Sequence, residues 1–153
     1  MGKYEELVIQ HEEIPIYETD LLPDFQSGCF FDGEIYIKKS LNDLRKLEIL
    51  HEEIAHYKIT AGDILDYKKP INRYFENKAR RLANHSAVTF DDLIKANQSG
   101  VRNLHELSEF LELNEDYVSK VLDEYFSIYG LDVIHRNYLI RFSPLSVTKL
   151  NEI

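Results

Sequence analysis

The sequence has few of the features that mark secreted, membrane-spanning or nucleic-acid-binding proteins. It contains one cysteine, Cys29, so no disulfide can form within the chain, which is typical of a reducing compartment. It has no run of 18 or more apolar residues and no apolar segment near its start, so neither a transmembrane helix nor a secretion signal is predicted. Basic residues are also scarce: the net charge of −9 opposes binding to DNA, RNA or an anionic membrane. We therefore predict a cytoplasmic protein that contacts neither nucleic acid nor membrane directly.

The strongest chemical signal is a stretch with two histidines five positions apart, His51 and His56, and a glutamate, Glu52, directly after the first. An apolar stripe at helical spacing predicts that this stretch is a helix (Leu44, Leu47, Leu50 and Ile54). We predict that the two imidazoles bind one metal ion and that Glu52 holds a water as general base. The separation is one position longer than the i, i+4 spacing that places two side chains on one face, so the imidazoles point about 140° apart around the helix. The alternative interpretation is a helix with a solvated acidic face that happens to carry two histidines.

A third metal ligand is predicted on the following helix, which we place from about Asn72 to His85. Glu76 shares a face with two alanines, Ala79 and Ala83, and small residues let two helices pack closely. The carboxylate would then project toward the first helix, which makes Glu76 our candidate ligand. Asp63, Asp66 and His85 are alternative candidates for the third ligand. Glu76 could also be a surface residue that forms an ion pair with Arg73 or Arg80.

Two further segments have recognisable patterns. The Asp32-Gly33 turn between β-branched and aromatic residues predicts a β-hairpin before the metal helix, whose second strand could serve as an edge for an extended peptide or simply cover the helix. Residues 103–122 predict two helices joined by a short turn, as in a helix-turn-helix. Residues 103–142 carry eight acidic and three basic side chains, a net charge of −5, so we interpret this segment as a docking or packing unit rather than a DNA reader.

With both helices in view, the chain resembles the ImmA/IrrE family of metallopeptidases, in particular the short versions encoded by phages and integrated elements. The resemblance rests on residues 47–57, on the Glu-x-x-Ala-x-x-x-Ala pattern of residues 76–83, and on a helix pair ending near Tyr129-Gly130. Two positions depart from the family pattern. Ala55 stands where glycine is usual, and Thr89 stands near where a proline often follows the second helix.

The resemblance implies one zinc ion per chain, held by His51, His56 and Glu76, with Glu52 as the catalytic glutamate. It also implies an α+β fold: a mostly helical, zincin-like domain with a small hairpin or sheet over residues 1–98, then a helix-turn-helix-like extension with a terminal strand over residues 99–153. The implied activity is site-specific cleavage of a phage-type repressor, itself a helix-turn-helix protein, which relieves repression. The oxyanion donor stays open among four side chains, Tyr57, Tyr67, Tyr74 and His85.

Two other classes of function remain open at this point. The chain could bind the repressor without cutting it, with a purely structural metal closed by a fourth ligand such as His85. It could also act as a transcription factor through residues 103–142, although the local charge opposes this function.

Overall fold

The computed structural model describes residues 1–62 and 71–150, an α+β chain that divides into two compact units, Met1–Ala87 and Val88–Ile153. None of the helices in these two stretches is both long and apolar enough to cross a membrane. The boundary between the units lies before the predicted one, because the helix at Phe90–Gln98 belongs to the second unit and not to the first. Phe90 of that helix packs its ring on Tyr125, Tyr129 and Phe142 of the second unit, contacts between residues far apart in the sequence that the sequence pattern does not predict.

The first unit contains a three-stranded sheet of β1 (Ile16–Thr19), β2 (Gly28–Phe31) and β3 (Glu34–Lys38). The predicted hairpin forms: β2 and β3 are antiparallel, and Asp32 and Gly33 between them both have positive φ. The strand order is β1-β3-β2, with β1 parallel to β3. The prediction that the second hairpin strand is an edge is therefore wrong, because β1 occupies its outer side, and β2 is the edge of the hairpin.

Helix α1 (Lys3–Gln10) and the long helix α2 (Asp43–Gly62) pack against each other. The sequence predicts a weak capping box of Ser40 with Asp43 at the start of α2, but the side chain of Asn42 is the one that accepts a hydrogen bond from the Arg45 amide, at 2.9 Å. The apolar stripe of α2 is buried as predicted at Leu47, Leu50 and Ile54. This burial fixes which side of α2 faces the interior.

Strand β2 approaches α2 so closely that only glycine fits at one position. A Cβ added to Gly28 would lie 2.4 Å from the Cγ2 of Ile49, a branched carbon with little freedom to move. The ring of Phe30, also on β2, meets the ring of Tyr57 edge to face with centroids 5.8 Å apart. The edge strand of the sheet therefore runs beside the histidine-bearing helix.

Helix α3 (Ile71–Ala87) packs on α2 through small side chains. Ala55 and Ile59 of α2 form a buried cluster with Ala79 and Ala83 of α3, and Phe75 packs against it. Because alanine side chains keep two helices close, the face of α3 that carries Glu76 lies against the part of α2 that carries His56. This is the arrangement that the alanine spacing predicts.

The second unit combines helices α4 (Phe90–Gln98), α5 (Leu104–Leu111) and α6 (Glu115–Tyr129) with a second sheet. The sequence around Thr89 and Asp92 predicts a capping box, and the two residues form it at the start of α4. The short connection between α5 and α6 contains Glu112 in the left-handed conformation, with φ of 55°. These helices form where the sequence pattern places them.

The second sheet is an antiparallel meander of β4 (Asp132–His135), β5 (Tyr138–Phe142) and β6 (Leu145–Lys149). The alternating sequence of residues 138–142 predicts a strand, which forms as β5, and its Ile140 and Phe142 are buried. The residues that follow Ser143-Pro144 predict a loose tail through Ile153, and this prediction is wrong over β6, because β6 pairs along the whole length of β5. Residues 151–153 of that tail lie outside the described residues.

We expect His105 at the start of α5 to bind its proton more tightly than a free histidine. A hydrogen bond to Glu115 and the charge of Glu109 both raise the pKa of His105. The pairing therefore stabilises the folded state fully below the ordinary histidine pKa of about 6.5, and this contribution is lost as the pH rises through the higher folded-state pKa. An NMR titration of the His105 ring should show a midpoint above the ordinary value that falls in Glu115→Gln. A midpoint at the ordinary value in the wild-type protein would contradict this prediction.

Candidate metal centre

The packing of α2 on α3 brings three of the four predicted site residues to one cavity. Glu52, His56 and Glu76 line a cavity of about 210 Å³ together with Ala79 and Arg80. The Nε2 atom of His56 lies 3.7 Å from the Oε2 atom of Glu76, which joins the two helices at this point. The imidazole of His56 is 28% exposed and the side chain of Glu76 is 67% exposed, so both can be reached from solvent.

His51 lies five positions before His56 on α2 and is buried, and it is not among the residues that line the cavity. Its Nδ1 atom is 3.0 Å from the Oγ atom of Ser86, so Nε2 is the ring nitrogen that this contact leaves for another partner. Burial lowers the pKa of His51 to about 4, and the positive charges of His11, Lys58 and Lys3 add to this effect. The imidazole is therefore neutral near pH 7, which is the form that binds metal ions.

The two adjacent glutamates of α2 differ in surroundings. Burial raises the pKa of Glu52, an effect opposed by the charge of Arg45 and reinforced by Glu48 and Glu76. Glu53 lies on the sheet side, where its Cγ atom is 3.5 Å from the position of a Cβ at Gly28. Burial, with the charges of Glu52 and Glu76, raises its pKa to about 7. Of the two, Glu52 is the one that lines the cavity.

The structure also places several of the alternative ligands and oxyanion donors. The Nδ1 atom of His85 donates a hydrogen bond to the carbonyl of Arg81 at 2.7 Å. The ring of Tyr57 packs on Phe30, and the ring of Tyr74 packs on Phe75. None of these three candidates lines the cavity. Three others lie outside the described residues (Asp63, Asp66 and Tyr67).

The donor set fits zinc by its chemistry. Two imidazoles and one carboxylate, with a further carboxylate beside them, are groups of the kind that zinc accepts in sites that keep one position open. Among residues 1–62 and 71–150, no group of three His, Cys, Asp or Glu side chains is placed so that it could hold a metal ion. Of the three proposed ligands, His56 and Glu76 meet at the cavity, whereas His51 lies outside its lining and contacts Ser86. The three side chains would therefore have to move together to hold an ion.

Two residues at this centre were not predicted from the sequence. Ser86 lies 35 positions after His51, and no local spacing links it to that histidine. Arg80 lines the cavity one helical turn after Glu76, and the sequence suggested it only as a possible partner of that glutamate. The spacing of four residues between Glu76 and Arg80 is the one signal that could have placed Arg80 at the centre.

We expect Ser86→Ala to weaken zinc binding without removing it. Ser86 holds the ring of His51 by one nitrogen, and loss of such outer contacts usually lowers metal affinity by about 10- to 100-fold. Competition against a fluorescent zinc chelator measures the difference. Ser40→Ala, at an exposed serine outside α2, is the matched control. Equal zinc affinities for Ser86→Ala and the wild-type protein would contradict the assigned contact.

Comparison of the chain with models of protein families, with curated proteins and with solved structures yields no match. The functional assignment therefore depends on the residues of this chain and on the resemblance noted from its motifs.

Proposed function

We propose that this protein is a zinc-dependent, site-specific endopeptidase of the zincin type, whose substrate is a phage-type repressor with a helix-turn-helix domain. The observation that carries the proposal is the meeting of Glu52, His56 and Glu76 at one cavity, although Glu76 lies 20 positions after His56 in the sequence. If α2 carried its histidines only by chance, there would be no reason for a carboxylate of α3 to lie beside one of them.

His51, His56 and Glu76 would hold the ion, and a bound zinc ion would supply a Lewis acid at the cavity. Glu52 then accepts a proton from the water that attacks the peptide carbonyl carbon. The same carboxyl group delivers this proton to the amide nitrogen as the carbon–nitrogen bond breaks. Partial burial favours this role, because it raises the pKa of Glu52 and lets the protonated form persist long enough to act as an acid.

An extended substrate segment has a suitable place to bind beside this cavity. Strand β2 is at the end of the strand order, and its Phe30 contacts the Tyr57 ring next to His56. A peptide added to the outer edge of β2 would form backbone hydrogen bonds and run along α2. The proposed cleavage site would then be an extended or locally unfolded segment of the repressor.

A cleavage assay on intact proteins tests the proposed activity. The zinc-loaded chain is incubated with a bacterial lysate that contains phage-type repressors and whose own peptidases have been inactivated, and new amino termini are identified by mass spectrometry. We expect a small number of cleavage sites that disappear when zinc is removed by a chelator and return when zinc is restored. No chelator-sensitive termini would contradict the proposal.

A further inference from the structure

The second unit contains a cavity that the proposed peptidase activity does not use. It has a volume of about 350 Å³ and is lined by residues of α4, α5, α6, β5 and β6 and of the connections beside them. Cavities of about 300–1,000 Å³ that combine apolar walls with a few polar groups are typical of small-molecule sites. At about 30 Å³ per water molecule in the liquid, the space suits a ligand of roughly a dozen non-hydrogen atoms.

The floor of this cavity is apolar. Side chains from all three helices and from β5 form it, namely Leu93, Ala96, Leu107, Leu122 and Phe142, and all of them are buried. Water against such a surface finds few hydrogen-bond partners, so its displacement by an apolar group is favourable. The floor therefore favours a ligand with a hydrophobic body.

The mouth of the cavity carries one basic and one acidic side chain. Arg102, in the connection before α5, and Asp123, on α6, line the cavity and are both exposed. No ion pair within the described ranges, 1–62 and 71–150, involves either side chain. The other polar residues of the lining are uncharged: Asn97, Asn103, Ser119 and Ser146.

Local structure fixes the backbone positions from which these two side chains project. The carboxylate of Glu106 accepts a 2.7 Å hydrogen bond from the Arg102 amide, and the Glu106 amide donates to the side chain of Asn103 at 2.8 Å. Asp123 follows Ser119 by four residues on α6, so these two lining residues lie one turn apart on one face. Such preorganisation reduces the conformational entropy that is lost when a ligand binds.

We infer that this cavity binds a hydrophobic α-amino acid, whose side chain lies on the apolar floor. Arg102 binds the carboxylate of the ligand, because its planar guanidinium offers paired N–H donors that match the two oxygens. Asp123 accepts hydrogen bonds from the ammonium group of the ligand. The net charge of −9 on the chain disfavours a ligand with a negative charge alone, whereas a zwitterion has no net charge. The inference does not depend on the metal centre, because every lining residue belongs to the second unit.

Three probes of similar size test this inference. They are L-phenylalanine, phenylpropionate, which lacks the ammonium group, and phenethylamine, which lacks the carboxylate. Titration of the whole chain, followed by the amide NMR signals of Leu107 and Ser119, gives Kd for each probe and locates the bound molecule.

The titrations are repeated with Arg102→Gln and Asp123→Asn, which change one charged group each. The matched controls are Arg141→Gln and Asp116→Asn, at exposed positions of the same unit that do not line the cavity.

We expect the wild-type protein and both controls to bind phenylalanine about 10-fold more tightly than either other probe, the lower end for charged hydrogen bonds because the mouth is exposed. Arg102→Gln should remove only the advantage over phenethylamine, and Asp123→Asn only the advantage over phenylpropionate. Ser119→Leu, which fills the cavity from a half-buried position, should abolish binding of all three probes.

Three results would overturn the inference. The first is that phenylalanine leaves the signals of Leu107 and Ser119 unchanged up to its solubility limit, or still binds to Ser119→Leu as to the wild-type protein. The second is that a probe lacking one charged group binds as tightly as phenylalanine. The third is tighter binding of phenylalanine with acetylated and amidated ends, which would assign the cavity to a side chain of a protein partner.

Discussion

Replacing Glu52 by glutamine is expected to lower peptide cleavage by about 100- to 10,000-fold, the usual contribution of a positioned general base. Glutamine has the same shape but cannot accept a proton from water, so the attacking nucleophile is no longer activated. Glu52 is not one of the proposed ligands, and Glu52→Gln should therefore bind zinc as well as the wild-type protein. The measurement is the rate at which new amino termini appear, at equal zinc content for the two proteins.

Glu53→Gln is the matched control for this experiment, because Glu53 is the next residue on α2 but approaches Gly28 on the sheet side and does not line the cavity. We expect this variant to cleave at nearly the wild-type rate. Wild-type activity in zinc-loaded Glu52→Gln would contradict the proposed mechanism, and so would loss of activity in both variants. Loss of zinc from Glu52→Gln would instead assign this residue to the metal.

The largest expected effect on stability is at Tyr125 in the second unit. Its ring is fully buried among Phe90, Tyr129 and Phe142, and its hydroxyl donates a 2.7 Å hydrogen bond to the carbonyl of Val88. Truncation of a buried aromatic side chain to alanine costs about 3–5 kcal/mol. Removal of the hydroxyl alone, in Tyr125→Phe, leaves the carbonyl without this donor and should cost about 1–3 kcal/mol.

Urea unfolding followed by the amide NMR signals of the second unit measures both losses. Phe126→Ala is the neighbouring control, because that ring is 41% exposed and should contribute much less. A free energy of unfolding for Tyr125→Ala within about 0.5 kcal/mol of the wild-type value would place Tyr125 in the range of ordinary surface positions and contradict the assigned core.

The parts of the fold that could be predicted are those with local signals. Asp32-Gly33 specifies a tight turn, and the alternation at Ile35 and Ile37 specifies which side of β3 is buried. The parallel pairing of β1 with β3, which places Ile16 beside Ile35, could not be predicted. Parallel strands are not joined by a tight turn, so no turn residues indicate which strands pair. Strand β6 was not predicted for a different reason. Its polar sequence has no strand pattern of its own, and it forms a strand by pairing with β5.

The same distinction applies to the candidate site. The alanine face around Glu76 is a local pattern that the structure retains, as a packed face between α2 and α3. The predicted meeting of His51 with His56 is not seen, because five positions along a helix turn the two side chains to different sides and His51 does not line the cavity. The contact of His51 with Ser86 depends on how far α3 runs along α2, which follows from packing and not from spacing. The position of Arg80 could be predicted only once Glu76 was known to face the cavity.

Zinc content is the most direct test of the central claim that α2 and α3 together form a metal site. Elemental analysis of the purified wild-type protein, supplied with zinc, is compared with Glu76→Gln and with the control Glu53→Gln. We predict about one zinc ion per chain in the wild-type protein and the control, and loss or clear weakening in Glu76→Gln, as expected for a site with three protein ligands. Absence of zinc from the wild-type protein, even after zinc is supplied, would contradict the proposed metal centre and the enzyme function built on it.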